Sequence, residues 1–337
     1  MKLSSLIKYR SCCMAIAIIW IVLYHSNLSL PIGINVIQVF GYGGVDIFFF
    51  CSGIGAWYSV NKYKGEYCKY VKHSLLKIMP AYYIILLVWT IFLARVETIS
   101  LKEIIGNVTC TGWLLGMDNQ FNWYMTAIVA FYFVAPFFVG LAKKYDSLKI
   151  QIFFVLFFSF LGIFFVKSNL LMMISRVPIS YLGILLAKRI ERNEIVVSSK
   201  LFICTVGVSA CLLGLMLFFM LFNNEILWDF GVWWYPMIII APTICLAIST
   251  ICEAIQCNKV PIVTILDKLG KKTYIVYLAH VTEFFVVKWL ITNGIVMQNN
   301  ILWGWCFLVL IPICIVLDKI NLFLLSSLKV LPKEKIK

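Results

Sequence analysis

Apolar residues fill this chain in blocks of roughly twenty, the length a helix needs to cross a bilayer, and polar residues collect in the gaps between them. The blocks predict ten spans, over 7–26, 44–60, 79–95, 122–141, 150–166, 172–187, 201–222, 232–251, 273–291 and 301–318. Several are slightly short, which favours spans packed in a bundle over isolated ones. A membrane barrel would show short segments of alternating polarity instead. The expected fold class is therefore an all-α polytopic integral membrane protein with about ten transmembrane helices.

Composition agrees: 62% of the 337 residues are hydrophobic and 13% are charged, which excludes an ordinary soluble domain. No small-residue cleavage site follows the first apolar block, so it reads as a mature helix. The formal net charge is +14, a value that in a soluble chain suggests nucleic acid. In a membrane protein excess Lys and Arg sets topology, so no nucleic-acid partner is expected. Ten spans put both termini on one side, and 24 of the 29 basic residues then fall on that side. They run from Lys2, Lys8 and Arg10 through the loops after the second, fourth, sixth and eighth spans, which include Lys259, to the tail with Lys329, Lys333, Lys335 and Lys337. The other side holds Arg95, Lys102 and Lys167, and Arg176 and Lys288 fall within spans. Both termini are accordingly expected in the cytoplasm. About twenty residues follow the last span, too few for another catalytic domain, so one transmembrane domain over 1–337 is expected, with no fused extracytoplasmic domain. The 12 cysteines form neither a CxxC pair nor a cluster with His at zinc spacing. They read as small buried hydrophobes, with no disulfide and no metal expected.

Ionisable residues at membrane depth are costly, which makes them candidates for chemistry. His25 ends the first span, where an interfacial residue and a functional base fit equally well. Asp46 opens the second, either as a carboxylate favoured by the helix dipole or as a group that orients His25. Arg10 sits fifteen residues before His25, as a topology-setting cation or as part of the same helix face. Lys69, Lys72, His73 and Lys77 share a helical face in the first cytoplasmic loop. They suffice as positive-inside residues, and they also suit a phosphorylated cytoplasmic ligand. Arg176 and His280 lie within spans and are harder to dismiss. Trp123 and Tyr124 open the fourth span, where an interfacial aromatic belt and a sugar-stacking platform are both open.

In this order the segments resemble the membrane acyltransferase 3 family. The resemblance rests on Ile21-Val22-Leu23-Tyr24-His25, on Gly44-Val45-Asp46-Ile47-Phe48-Phe49-Phe50-Cys51-Ser52-Gly53, and on the basic stretch from His73 to Tyr83. Leu182-Gly183-Ile184 and Tyr277-Leu278-Ala279-His280 complete it, so it covers about the whole chain. Two departures stand out: Met14 occupies the place of an arginine usual in the family, with Arg10 one turn further back, and Lys72, His73 and Lys77 stand where loop arginines are usual.

The resemblance implies a membrane O-acyltransferase of the bacterial cytoplasmic membrane. It would move an acyl group, acetyl most often, from acyl-CoA on the cytoplasmic side to a hydroxyl of a cell-surface or lipid-linked glycan, with membrane lipids around it. His25 would be the general base or a covalent acyl carrier, and Asp46 would orient it. Arg10, Lys72, His73, Lys77 and Arg176 would hold the donor, and Trp123, Tyr124 and His280 the acceptor. The alternative is a non-enzyme, a transporter or flippase-type carrier of lipid-linked glycans.

Overall fold

The computed structural model describes residues 2–119, 121–166, 168–192, 197–222, 224–257 and 261–328. Lys167, Lys259, Lys329, Lys333, Lys335 and Lys337 lie outside the described residues. Among those described, every regular element is helical. Ten long helices carry the chain: α1 Arg10–His25, α2 Gly44–Lys62, α3 Tyr67–Val96, α4 Trp123–Lys144, α5 Leu148–Leu161, α6 Val177–Glu191, α7 Ser199–Phe222, α8 Met237–Cys257, α9 Thr273–Thr292 and α10 Asn300–Ser327. Nine stretches of the described chain are long and apolar enough to cross a membrane, and α1, with 16 residues, is a shorter apolar helix. The ten expected apolar blocks are thus ten helices of a polytopic membrane protein, the first of them short.

Three boundaries differ from the expectation. A span starting near 79 predicts a loop up to Pro80, yet α3 begins at Tyr67 and carries Pro80 in its interior. The reason is a stripe of Tyr70, Val71, Ser74 and Ile78, buried at helical spacing, with Lys72 and Lys77 left exposed outside it. The sixth block is broken instead of continuous. A helix over Asn169–Ile174 stops, and α6 restarts at Val177 with Pro178 in its first turn, where its missing amide costs nothing. Arg176 is the residue at that break. Finally, the two long connections after α1 and α3 are structured. One holds helix Ile32–Val39 and a 3-10 turn over Phe40–Gly43; the other holds helix Leu101–Val108, started by a reciprocal Ser100–Glu103 cap.

The chain divides into two compact units. The first comprises Met1–Ala17, Gly43–Tyr67 and Phe133–Lys271. Its centre is the crossing of α2 and α6, held at backbone distance by glycines. A Cβ on Gly53 would collide with the Ser180 carbonyl, and one on Gly183 with the Phe50 carbonyl, so larger residues would push the helices apart. Helices α5 and α8 pack on this crossing, and α7 packs on α8 with its largely exposed apolar surface left for lipid. The second unit comprises Ile18–Tyr42, Cys68–Tyr132 and Lys272–Lys337. It holds the α9–α10 hairpin, with Phe284 packed edge-on against Trp303. The segment after α3 is tied down through Asn107. Its carbonyl accepts from the Tyr82 hydroxyl at 2.6 Å, its amide donates to Asn119, and its side-chain oxygen accepts from the Phe121 amide.

Candidate functional site

In the second unit, the C-terminal end of α1 leaves carbonyls without helical partners. Gln38 supplies them: its side-chain amide donates to the Leu23 carbonyl at 2.9 Å and to the Ser26 carbonyl at 3.0 Å. The Trp20 indole donates to the Ile37 carbonyl at 2.6 Å. Gly41 lies so close to the Trp20 carbonyl that no Cβ fits there. These contacts strap helix Ile32–Val39 to the end of α1 and set the direction in which His25 projects.

His25 projects towards α9. Its Nδ1 lies 3.0 Å from Nε2 of His280, and the Nδ1 of His280 lies 3.0 Å from the Val276 carbonyl one turn back. The ring centroids are 5.2 Å apart and the planes 30° from parallel, so the imidazoles meet edge to edge, nitrogen towards nitrogen. His25 is partly exposed and His280 is fully buried. Tyr24 packs beside His25, and Tyr277 and Phe284 pack edge-on against His280. Tyr277 continues to Tyr124, ring to ring at 4.6 Å, and its hydroxyl reaches the Asn122 side chain at 3.4 Å. Trp113 and Trp123 extend this aromatic row, and Trp123 keeps part of its surface open.

In the first unit, Asp46 lies in the opening turn of α2, where free backbone amides favour negative charge. It is completely buried, and its carboxylate lies 3.4 Å from Nε of Arg176, itself 2% exposed. Because the sixth block breaks just there, the Arg176 guanidinium turns back, donates to the Met172 carbonyl at 2.7 Å and lies 4.6 Å over the Trp234 ring. The break thereby gives a buried arginine an anion, a carbonyl and a π face at once.

The remaining candidates lie on α1 and α3. Arg10, half-buried at the start of α1, lays its guanidinium on Gly55, where a Cβ would sit 2.5 Å from Nη1. Lys72 and Lys77 are exposed on the first turns of α3, and His73 is partly buried among them. A further cationic cluster joins Asp146, between α4 and α5, to Lys188 and Arg192, each at 2.6 Å. The hydrogen bonds from Lys188 and then Arg192 hold the Asp146 carboxyl down to about 2.

The expectation makes Asp46 the group that orients His25; in the structure His280 meets the His25 Nδ1, and Asp46 answers to Arg176. His280, expected on the acceptor side, is sealed behind His25 by rings. Arg176, expected at the donor, is committed to its buried pair. The sequence does bring out both histidines and both members of the ion pair, but not who pairs with whom. It also passes over Glu283, within α9, whose Oε2 is buried without a hydrogen bond among the described residues. The rule that singles out intramembrane charge would have found it.

A protein-family model described as an acyltransferase domain matches residues 14–319, which takes in His25, Asp46, Arg176 and His280 and leaves Arg10 just outside. No curated protein and no solved structure matches the chain.

Proposed function

Because this chain belongs to the membrane acyltransferase 3 family, and so is a multi-pass membrane acyltransferase, we propose that it transfers an acyl group, acetyl in the first instance, from acyl-CoA to a hydroxyl of an exported or cell-surface glycan. The observation that carries the reading is His25, a partly exposed imidazole at the end of α1 whose other edge is held by a buried partner. General-base chemistry asks for a positioned side chain with a lone pair that can take up and release a proton, and an imidazole supplies one.

In the proposed reaction the acceptor oxygen attacks the thioester carbonyl carbon while its proton passes to Nε2 of His25. The tetrahedral intermediate collapses, the carbon–sulfur bond breaks, and the proton on His25 passes to the departing thiolate. The products are the glycan ester and free CoA. No metal or redox partner enters this balance.

The basic residues support a cytoplasmic donor. With the termini in the cytoplasm of a bacterial cell, Lys72 and Lys77 project from α3 on the same face of the membrane as acyl-CoA. His25 then stands at the outer end of α1. The part-open Trp123, in the row that leads through Tyr124 and Tyr277 to His280, offers a stacking face for a sugar. Reconstitution in vesicles with radiolabelled acetyl-CoA and a glycan acceptor is the test. Label should reach the glycan with the parent chain and not with His25→Ala. Glycan transport without esterification would favour the carrier reading and overturn this one.

A further inference from the structure

We infer that His280 is the positioning residue of His25, holding it in the tautomer whose Nε2 lone pair faces the acceptor. The inference rests on the acyl-transfer reading for its kinetic consequence, but its structural content stands on hydrogen-bond bookkeeping alone. A carbonyl can only accept, so the 3.0 Å contact between His280 Nδ1 and the Val276 carbonyl requires a proton on that nitrogen. His280 is surrounded by the rings of Tyr277, Phe284 and His25 and is fully buried. A cation enclosed by rings and a single carbonyl is expensive, so the imidazole is neutral and its Nε2 carries a lone pair. The 3.0 Å contact between the two rings then has one polarity: His25 Nδ1–H donates to His280 Nε2. One proton remains to be placed on a neutral His25, and it is already on Nδ1. Nε2 is left as the basic nitrogen.

The chain of contacts is therefore Val276 carbonyl, His280, His25, acceptor hydroxyl. It does the orienting work that a carboxylate does in hydrolase triads, where a wrong tautomer of the base lowers turnover by about 10⁴-fold. The difference lies in charge. A neutral orienter fixes direction and tautomer but gives an imidazolium no anion to lean on. Such a base hands its proton on readily, which suits a step that must return that proton to a thiolate.

The chain contains three histidines, His25, His73 and His280, so ¹⁵N labelling of histidine gives a small set of ring resonances, with His73→Asn and His280→Phe as assignment variants. In the purified full-length protein at neutral pH, His25 should show a protonated Nδ1 and a lone-pair Nε2. His280→Phe keeps ring volume but removes the acceptor; His25 should shift towards the Nε2–H form, and kcat should fall by about 10²- to 10³-fold with little change in KM for acetyl-CoA. His280→Gln restores an acceptor oxygen and should recover turnover to within about tenfold of the parent. A parent spectrum with His25 protonated on Nε2, or on both nitrogens, overturns the inference even where the variants fold poorly. So does an equal loss of kcat in His280→Phe and His280→Gln. The predicted tautomer in a chain that transfers no acyl group would instead refute the proposed reaction and leave the positioning intact.

Discussion

Two buried polar pairs, one in each compact unit, are built on opposite plans. At the end of α1, His25 and His280 meet through ring nitrogens, carry no net charge in the arrangement inferred above, and leave one ring partly open. At the start of α2, Asp46 and Arg176 meet as full charges, both sealed from solvent, with a carbonyl and the Trp234 face completing the guanidinium. A pair that exchanges protons must keep one nitrogen reachable and must not be trapped by a strong counter-charge. A pair that ties helix ends together gains from the reverse, because a desolvated ion pair is costly to break on one side only. The first arrangement is suited to turnover and the second to stability.

The largest effect expected from this contrast is on rate. His25→Ala should reduce acyl transfer by about 10³-fold or more, with a smaller change in melting temperature than Arg176→Met, since it leaves a neutral lone pair of His280 unpaired and no buried charge. Next comes a loss of stability. Arg176→Met strands the Asp46 carboxylate in a buried position, a defect that costs about 3–5 kcal/mol. It should show as a lowered melting temperature in detergent. The double variant Asp46→Asn, Arg176→Met should regain part of that loss, because a buried amide is far cheaper than a buried anion. A large melting shift in His25→Ala, or none in Arg176→Met, would collapse the contrast.

The helical architecture was legible because apolar blocks of spanning length admit few other readings. What the sequence hid were features decided by packing. Pro80 looks like a helix start, yet the buried stripe from Tyr70 to Ile78 extends α3 well before it. The break at Arg176 is foreshadowed by Pro178, but the anion it serves lies 130 positions away in the chain, and no local pattern announces that Asp46 is it. His25 and His280 both stood out as intramembrane ionisable groups, and their contact spans 255 positions. Residue type shows which groups are costly, while the partners that repay the cost are a property of the fold. The same holds for Gln38, in the connection after α1, whose side-chain amide secures the end of that helix.

A smaller effect concerns the exposed cations. Lys72→Gln with Lys77→Gln removes charge from solvent-facing turns of α3, outside both pairs. KM for acetyl-CoA should rise roughly three- to tenfold, and its dependence on ionic strength should flatten. Insertion measured in the same membranes separates this outcome from a topology defect, which would reduce inserted protein and leave its KM alone.

The smallest expected effect sharpens the stability half of the contrast, because Asp146 is a carboxylate paired with cations at the surface instead of in the interior. Its ordinary value near 3.8 is depressed to about 2 by hydrogen bonds from Lys188 and Arg192. A depressed carboxyl contributes stability that is complete above its unfolded value and is lost as the pH falls through the folded one. The gap in melting temperature between the parent and Asp146→Asn should therefore stay constant from pH 8 to about pH 5 and narrow from about 3.8 towards 2. The gap should be smaller than that of Arg176→Met, since Asp146 is largely exposed and exposed pairs are screened by water. It should not vanish, because Lys188 is buried to 3% exposure and would lose its anion, left with neutral oxygens only. Arg192→Ala should have less effect still, its guanidinium being open to solvent on the far side of the same carboxylate. If Asp146→Asn instead matched Arg176→Met in melting temperature, burial would not be what separates the two ion pairs, and the cost assigned to stranding Asp46 would need another source.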